Sequence, residues 1–167
     1  LERGMNVLAF DGPGQGQCLR RQKLNFRPDW EAVLTPVVDY CVTRLEVDPE
    51  RIGLLGRSFG GFLVPRALTK EHRITVWVAD PGQFDLGERA LQMLPSQQRA
   101  QFENGEEEEV EAFLERQDPA KRFFFQSRMA PHGCHSLSGY LQELQKFTVR
   151  EGVGQIKGHA IVCSSQG

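Results

Sequence analysis

The sequence predicts an α/β fold in which a parallel sheet is covered by helices and interrupted by a helical insertion. Short apolar runs alternate with helical patterns over residues 1–85, an order typical of parallel sheets. Residues 86–150 then have a polar, helix-forming composition without a convincing strand, and a last apolar run lies within residues 151–167. With these boundaries we expect a core segment, an inserted helical lid and a return to the core.

The first predicted element is a strand at 5–10, which is apolar apart from one asparagine. The loop behind it, residues 11–16, reads Asp-Gly-Pro-Gly-Gln-Gly and contains Asp11 and Gly12. Such a loop could cradle a phosphate. It lacks both the lysine signature of a P-loop and the glycine spacing of dinucleotide-binding loops. The sequence therefore does not favour nucleotide binding, and no cofactor is predicted.

A helix follows this loop. Apolar residues recur at helical spacing over 29–45. Pro36 either kinks this helix or begins its main part, in which case Thr35 is the cap.

The motif at the centre of the first half carries the functional prediction. A strand predicted at 52–55 leads through Gly-Arg-Ser-Phe-Gly, residues 56–60, into a helix predicted at 62–68. This order is that of a nucleophile elbow, a sharp turn that holds a strained serine above the strand. Ser58 is then the nucleophile and the Phe59 N–H an oxyanion donor. The alternative is a structural serine in a glycine-rich turn.

Three glycines are expected to permit this turn. Gly56 and Gly60 lie two residues before and after the serine, where larger side chains would collide. Gly61 lets the helix pack closely on the sheet. The next strand is predicted at 74–79 and is followed by Asp80.

The predicted lid and the end of the chain hold four further features. Glu106–Glu109 most simply begins a helix, because carboxylates favour the helix dipole there, and the alternative is an acidic interaction patch. The three phenylalanines at 123–125 are expected to pack against the core or to roof a pocket. A helix is predicted at 136–147 with Ser136 as its cap, and a last strand at 159–163.

The histidines and cysteines give no clear metal site. His72 follows a predicted helix end and His159 begins a predicted strand, so both are expected to be structural. Residues 131–135 contain two histidines and a cysteine and could bind zinc, but the missing fourth ligand favours a plain lid loop. The cysteines are scattered without metal or redox spacing: Cys18, Cys41, Cys134 and Cys163. We expect reduced thiols, no metal and a cytoplasmic protein.

Charge and hydropathy exclude several partners. The chain has 22 acidic and 20 basic residues, so nothing indicates a nucleic acid or an anionic membrane surface. The longest apolar runs have the length of strands, and no signal peptide is visible. The expected partner is a small-molecule substrate, and the sequence does not indicate an oligomeric state.

Taken together, these motifs resemble a branch of the α/β-hydrolase superfamily. The resemblance is carried by the loop at 11–16, by Val-Asp-Pro-Glu-Arg-Ile-Gly-Leu-Leu-Gly-Arg-Ser-Phe-Gly-Gly at 47–61 and by Asp-Pro-Gly-Gln-Phe-Asp at 80–85. The branch includes dihydropseudooxynicotine hydrolase-like enzymes and fungal hydrolases that shorten polyketide pigment precursors. The resemblance implies a serine hydrolase that cleaves an ester or a β-diketone-like C–C bond through an acyl-enzyme. The glycine-rich loop would then border the active site with Asp11 and Gly12 as substrate contacts, and Arg57 would either contact the substrate or simply pack.

The resemblance also implies that some catalytic groups lie elsewhere. The acid is expected just after the last strand, beyond Gly167, with the histidine later still, while the second oxyanion donor is expected before Leu1. We therefore expect the sequence to be the central part of a longer hydrolase. Asp80 is another candidate for the acid, because some α/β-hydrolases carry theirs after that strand. Two alternatives remain open: an inactive hydrolase-fold segment that binds small apolar carbonyl compounds, and a partner-binding module that uses the acidic helix.

Family topology further predicts the order of the sheet. The strands at 52–55, 74–79 and 159–163 should pair consecutively and in parallel, with the first of them at an edge. The strand at 5–10 should either remain unpaired or move over to pair with 52–55, because its usual neighbour would precede Leu1. In both cases the chain should expose an apolar sheet edge and face.

Overall fold

The structure of the protein is a computed structural model, and it describes residues 4–164. The chain divides into two compact units. We call the first the sheet unit, which consists of the residues up to Asp11, Pro28–Phe84 and the residues from Thr148 onward. We call the second the helical unit, which consists of Gly12–Arg27 and Asp85–Phe147.

The predicted division of the chain at 85 and 150 stays a prediction. Residues 12–27, which that division assigns to the core segment, belong to the helical unit. Residues 1–3 and 165–167, in the first and last predicted segments, lie outside the described residues.

The secondary structure of residues 4–164 alternates in the first half and is helical in most of the second. The helices are α1 (Gly16–Arg20), α2 (Glu31–Val42), α3 (Gly60–Leu68), α4 (Leu86–Gln92), α5 (Ser96–Glu103), α6 (Glu107–Glu115), α7 (Pro119–Met129) and α8 (Leu137–Leu144). The strands are β1 (Gly53–Arg57), β2 (Val76–Asp80) and β3 (His159–Val162). Short 3₁₀ turns lie at Ala130–His132 and Val153–Gln155. None of the helices in this part of the chain has the length and apolar character that a membrane crossing requires.

The three strands form a parallel sheet in the order β1-β2-β3. Gly53 pairs with Val76 and Val76 with His159, so the strands begin level with one another. The prediction of consecutive parallel pairing, with β1 at an edge, is confirmed. An α/β class is confirmed with it, since helices connect the parallel strands.

The prediction of a strand at 5–10 is wrong. Within the described residues this stretch joins no ladder, and it exposes apolar side chains such as Met5 at 59% and Val7 at 74%. A strand exists only when a neighbour accepts and donates its main-chain hydrogen bonds, and apolar composition alone does not provide that neighbour. Of the two outcomes expected for this stretch, the unpaired one is observed.

Helix α3 covers one face of β1 and β2, whereas the other face of the sheet is open and β3 is exposed throughout. Helix α3 packs on the face that carries Trp77 and Ala79, both of which are buried. The opposite face carries Leu55, 62% exposed, and Ile161, 57% exposed. Both are level with Val78, the residue between Trp77 and Ala79. The prediction of an exposed apolar face is therefore confirmed.

Charged side chains fasten α2 to the segment that follows α3. The carboxylate of Glu71 is buried and accepts from the guanidinium of Arg73 at 2.6–2.9 Å and from the Thr35 hydroxyl at 3.1 Å. Since Thr35 contacts Glu71 and α2 begins at Glu31, the alternative in which Thr35 caps the helix is wrong. Pro36 lies inside α2.

The helical unit has its own apolar core. Buried side chains from α6, α7, α8 and the turn after α4 pack together: Leu94, Val110, Leu114, Met129, Leu137 and Leu141. The predicted cap of α8 is confirmed, because the Ser136 hydroxyl accepts from the N–H of Gly139 at 3.1 Å. Glu111 of α6 adds to this cap by accepting from the N–H groups of Leu137 and Ser138 at 3.0 and 2.8 Å.

Two predictions for the lid segment have different outcomes. The acidic run does begin a helix, since Glu107, Glu108 and Glu109 form the first turn of α6. The prediction for the three phenylalanines is wrong in part, because Phe123 is 70% exposed while Phe125 packs against the core. Consecutive helical residues are about 100° apart, so three in a row cannot all face one core.

Candidate active site

Ser58 occupies the turn between β1 and α3. The strand ends at Arg57, and α3 begins at Gly60 with Phe59 as its N-cap. Ser58 has a φ of +54° and an exposed side chain. The left-handed conformation costs a non-glycine residue roughly 1–2 kcal/mol, so the surrounding structure must hold it in place. Strand, strained serine and helix follow one another as the sequence predicts.

Hydrogen bonds hold both peptide groups of Ser58. Its N–H donates to the carbonyl of Asp80 at 2.7 Å. Its carbonyl accepts from the N–H of Gly61 at 2.9 Å and from the side-chain amide of Gln83 at 2.7 Å. The turn is therefore fixed from β2, from α3 and from the loop after β2.

Steric exclusion accounts for two of the three glycines. A Cβ on Gly56 would lie 2.1 Å from the carbonyl oxygen of Gly60, and one on Gly61 would lie 1.8 Å from that of Pro81. Both contacts are with the main chain, which cannot rotate away. A Cβ on Gly60 would meet nothing within 4 Å, so an alanine would fit there, and a collision by a larger side chain stays a prediction. Gly60 is instead the residue whose backbone approaches Gly56.

Phe59 lies where an oxyanion donor is expected. As the N-cap of α3 its carbonyl accepts from the N–H groups of Phe62 and Leu63, at 3.0 and 3.2 Å. Main-chain N–H groups at a helix start have no partner within the helix, and the helix dipole favours negative charge near them. The assignment of the Phe59 N–H as an oxyanion donor stays a prediction.

Arg57 and Asp80 are neighbours in the sheet. They pair across β1 and β2, at the carboxyl ends of the strands and on the open face. Asp80 contacts Ser58 through its main-chain carbonyl. That contact does not involve the carboxylate of Asp80, so its role as the acid stays a prediction. The role of Arg57 as a substrate contact stays a prediction as well.

The glycine-rich loop is a compact turn. Asp11 is exposed, whereas Gly12 and Gly14 are buried. The N–H of Gly12 donates to the side-chain oxygen of Gln15 at 2.9 Å. Gly14 has a φ of +81°, and a Cβ there would lie 2.3 Å from the ring of Phe26. These contacts shape the loop, and substrate binding by Asp11 and Gly12 stays a prediction.

The histidines of the sheet unit lie far from Ser58. His159 begins β3 level with Gly53, and five residues of strand, about 16 Å, separate Gly53 from Ser58. His72 follows the carboxyl end of α3, about 14 Å of helix from its start. Neither is placed to accept a proton from the serine hydroxyl.

His132 and His135 belong to the helical unit. His132 is buried, and its ring contacts those of Phe26, Tyr140 and Phe147, with centroids 4.9–5.3 Å apart. Burial lowers the pKa of His132 to about 4, although the charge of Glu143 opposes the shift. Among residues 4–164 no group of three or more histidine, cysteine, aspartate or glutamate side chains is arranged to hold a metal ion.

Sequence reasoning missed Gln83. Its side chain reaches the serine carbonyl, and its main-chain N–H donates to the carbonyl of Gly61 at 3.2 Å. The only signal in the sequence was its position three residues after the end of β2, directly behind Asp-Pro-Gly. That position does not indicate in which direction a side chain points.

Comparison with known proteins gives a family and several fungal relatives. The model of the prolyl oligopeptidase family matches residues 1–133. The chain is 40% identical over 99 residues to "Hydrolase acrC" of Aspergillus aculeatus, covering 57% of this chain and 23% of that protein. It is 40% identical over 100 residues to "20-hydroxy-prefusarin hydrolase FUS2" of Gibberella moniliformis, covering 58% and 24%. It is also 45% identical over 89 residues to "Alpha/beta hydrolase psoB" of Aspergillus fumigatus, covering 50% and 20%.

A solved structure shares the fold. The crystal structure of the 2,6-dihydroxy-pseudo-oxynicotine hydrolase superposes with a TM-score of 0.67 at 20% identity, over 91% of this chain and 35% of that one. The chain thus spans about a quarter of the length of the curated relatives it matches and about a third of this neighbour.

Proposed function

Because the chain belongs to the prolyl oligopeptidase family and has part of an α/β-hydrolase fold, we propose that it supplies the nucleophile, Ser58, of a serine hydrolase. The fungal hydrolases and the structural neighbour confirm the resemblance to that branch of the superfamily. The observation that carries the proposal is the left-handed Ser58 between β1 and α3, held through both of its peptide groups. Strain of this kind persists only where the surroundings enforce it, and it is concentrated at functional sites.

The proposed reaction is acyl transfer. The Ser58 oxygen forms a bond to the carbonyl carbon of the substrate while a histidine takes the hydroxyl proton. The carbonyl oxygen becomes an oxyanion that accepts a hydrogen bond from the Phe59 N–H and from a second donor. The intermediate then releases an alkoxide from an ester, or an enolate from a β-diketone-like compound, which the histidine protonates. Water then attacks the carbonyl carbon of the acyl-enzyme while the histidine takes its proton. The Ser58 oxygen leaves and receives that proton from the histidine.

The proposed substrate is a small organic carbonyl compound. Two of the similar proteins are named as the 20-hydroxy-prefusarin hydrolase and the 2,6-dihydroxy-pseudo-oxynicotine hydrolase. For this protein we propose an ester or a β-diketone-like C–C bond, with Arg57, Asp11 and Gly12 as substrate contacts.

A second candidate is an inactive hydrolase fold that binds such compounds without turnover. It is favoured by the positions of His72 and His159, which leave the described residues of the sheet unit without a histidine near Ser58. The two candidates differ in whether Ser58 forms a covalent adduct.

Fluorophosphonate labelling tests the proposal in the protein that carries this stretch together with its triad partners. Mass spectrometry should place the adduct on Ser58, and Ser58→Ala should abolish labelling and turnover. The matched control is Ser127→Ala, because Ser127 is an exposed serine in α7 and should leave both unchanged. Hydrolysis of aryl esters by Ser58→Ala at the parental rate would show that the nucleophile assignment is wrong.

The isolated chain should turn over poorly. Loss of triad members leaves roughly 10³- to 10⁴-fold catalysis over water, and loss of one oxyanion donor costs about another 10²- to 10³-fold. If the purified chain equals a complete relative in turnover, the base lies within it, and His132 and His135 become the candidates to replace.

A further inference from the structure

Gln83 donates hydrogen bonds to two main-chain carbonyls of the elbow, those of Ser58 and Gly61. Its side-chain amide donates to the carbonyl of Ser58 at 2.7 Å, and its N–H donates to the carbonyl of Gly61 at 3.2 Å. Both contacts lie within the sheet unit. The main chain of Gln83 therefore bonds to α3, and its side chain bonds to the turn at Ser58.

The contact with Ser58 acts on the peptide group that carries the oxyanion donor. The carbonyl of Ser58 and the N–H of Phe59 belong to the same peptide bond, which is planar and nearly rigid. In a trans peptide the oxygen and the hydrogen point in opposite directions. A donor that holds the oxygen therefore also sets the direction of the N–H.

A hydrogen bond at the carbonyl also strengthens the N–H as a donor. Hydrogen bonds in series polarise one another, so withdrawal of electron density at the oxygen makes the N–H of the same amide more positive. Gly61 supplies one such bond from the turn itself, and Gln83 supplies the other from outside it. The Gln83 bond is the one that a side-chain substitution can remove without altering the turn.

We propose that Gln83 is a positioning residue for the oxyanion donor: it fixes and polarises the Ser58–Phe59 peptide so that the Phe59 N–H faces the developing oxyanion. The inference rests on the proposed function, because it needs an oxyanion at this site. Gln83 touches neither the substrate nor the reacting atoms in this role, and it acts through the peptide group of Ser58.

Gln83→Met is the variant that tests the inference, since methionine keeps the length of the side chain and lacks the donor. The matched control is Gln97→Met at an exposed position of α5. We expect kcat for an ester to fall about 10-fold with KM unchanged. This loss is smaller than the roughly 10²- to 10³-fold loss on removing an oxyanion donor, because the Phe59 N–H is still present. Gln97→Met should behave as the parent.

A thionoester substrate separates positioning from general damage. Sulfur accepts hydrogen bonds weakly, so an intermediate with a thiolate-like sulfur gains little from the oxyanion donor. The ester-to-thionoester ratio of kcat/KM should therefore fall about 10-fold in Gln83→Met, whereas a variant that is merely less stable would lose both activities equally.

Amide hydrogen exchange should also become faster in Gln83→Met at Ser58 and Gly61, whose N–H groups form hydrogen bonds within the turn.

The possible outcomes are distinct. If Ser58→Ala retains turnover, the proposed function fails and this inference fails with it. If Ser58→Ala is inactive but Gln83→Met keeps the parental ratio of ester to thionoester, only the inference is overturned. A fall in that ratio with unchanged folding, judged by far-UV circular dichroism, supports it.

Discussion

At Gly61 helix α3 lies almost against the loop that follows β2. A Cβ there would be 1.8 Å from the carbonyl oxygen of Pro81 and 2.9 Å from its carbon. Since a Cβ rarely approaches another heavy atom closer than 3.0 Å, Gly61→Ala must displace the start of α3 by about 1.2 Å. Overpacking of this kind costs roughly 1–3 kcal/mol, and the upper end applies because a main-chain carbonyl cannot rotate away. Alanine recovers about 1 kcal/mol of helix propensity, which leaves a net loss of about 2 kcal/mol.

Gly60→Ala is the matched control for this change. It makes the same substitution one residue earlier in α3, where a Cβ meets nothing within 4 Å. We expect it to be neutral or to stabilise by up to about 1 kcal/mol. Trp30 and Trp77 are both buried in the sheet unit, so their fluorescence reports its unfolding in urea. At about 2 kcal/mol per molar urea, Gly61→Ala should lower the midpoint by about 1 M.

The comparison of the two variants decides the argument. Equal midpoints for Gly61→Ala and Gly60→Ala would mean that α3 does not lie as close to the loop as the structure places it. A lower midpoint for Gly60→Ala than for Gly61→Ala would refute the steric reasoning altogether. An unchanged slope in urea is also required, because a changed slope would indicate a different unfolded or native state.

Three further predictions concern single side chains. Ser58→Gly should raise the free energy of unfolding by about 1 kcal/mol, measured in urea, because glycine adopts a φ of +54° without strain, and it should abolish labelling at that position. Burial lowers the pKa of His132 to about 4, so as the pH falls the imidazole is protonated in the unfolded chain before it is protonated in the folded one. Between pH 7 and 5 the parent should therefore lose about 2 kcal/mol more than His132→Phe in urea unfolding followed by circular dichroism; equal losses would contradict this. Hydrogen bonds from Arg73 lower the pKa of Glu71 to about 2, so Glu71→Gln should cost about 2 kcal/mol at pH 7 in urea unfolding. The difference should shrink as the pH falls from 4.5 towards 2, and a difference that stays constant would exclude the carboxylate as its source.

The sequence predicts best where the cause of the structure is local. The elbow is visible because a side chain at Gly56 would strike the carbonyl oxygen of Gly60 in the same turn, and that exclusion leaves glycine in the sequence. The cap at Ser136 is visible for a similar reason, since its hydroxyl bonds an N–H three residues later. In both cases the interacting atoms are close together in the sequence.

Prediction fails where a partner from elsewhere in the chain decides the structure. The stretch at 5–10 has strand composition, yet no strand pairs with it among the described residues. Thr35 can cap a helix, but it bonds Glu71, which lies 36 residues away. Phe123 is apolar and remains exposed, because the turn of α7 directs its neighbour Phe125 to the core instead.

The same distinction explains which parts of the candidate site are visible in the sequence. The bonds that hold Ser58 come from the main chain of Asp80 and Gly61 and from one side chain, Gln83. Main-chain atoms are present whatever the sequence, so the motif reveals their arrangement only through the glycines that permit it. A side-chain donor leaves no such trace, because the sequence does not show in which direction it points, and the same holds for the position of a histidine. His159 illustrates this, since its place at the start of β3 puts it at the opposite end of the sheet from the serine. A motif can therefore predict a nucleophile and its oxyanion peptide, whereas the residues that would position or deprotonate them have to be found in three dimensions.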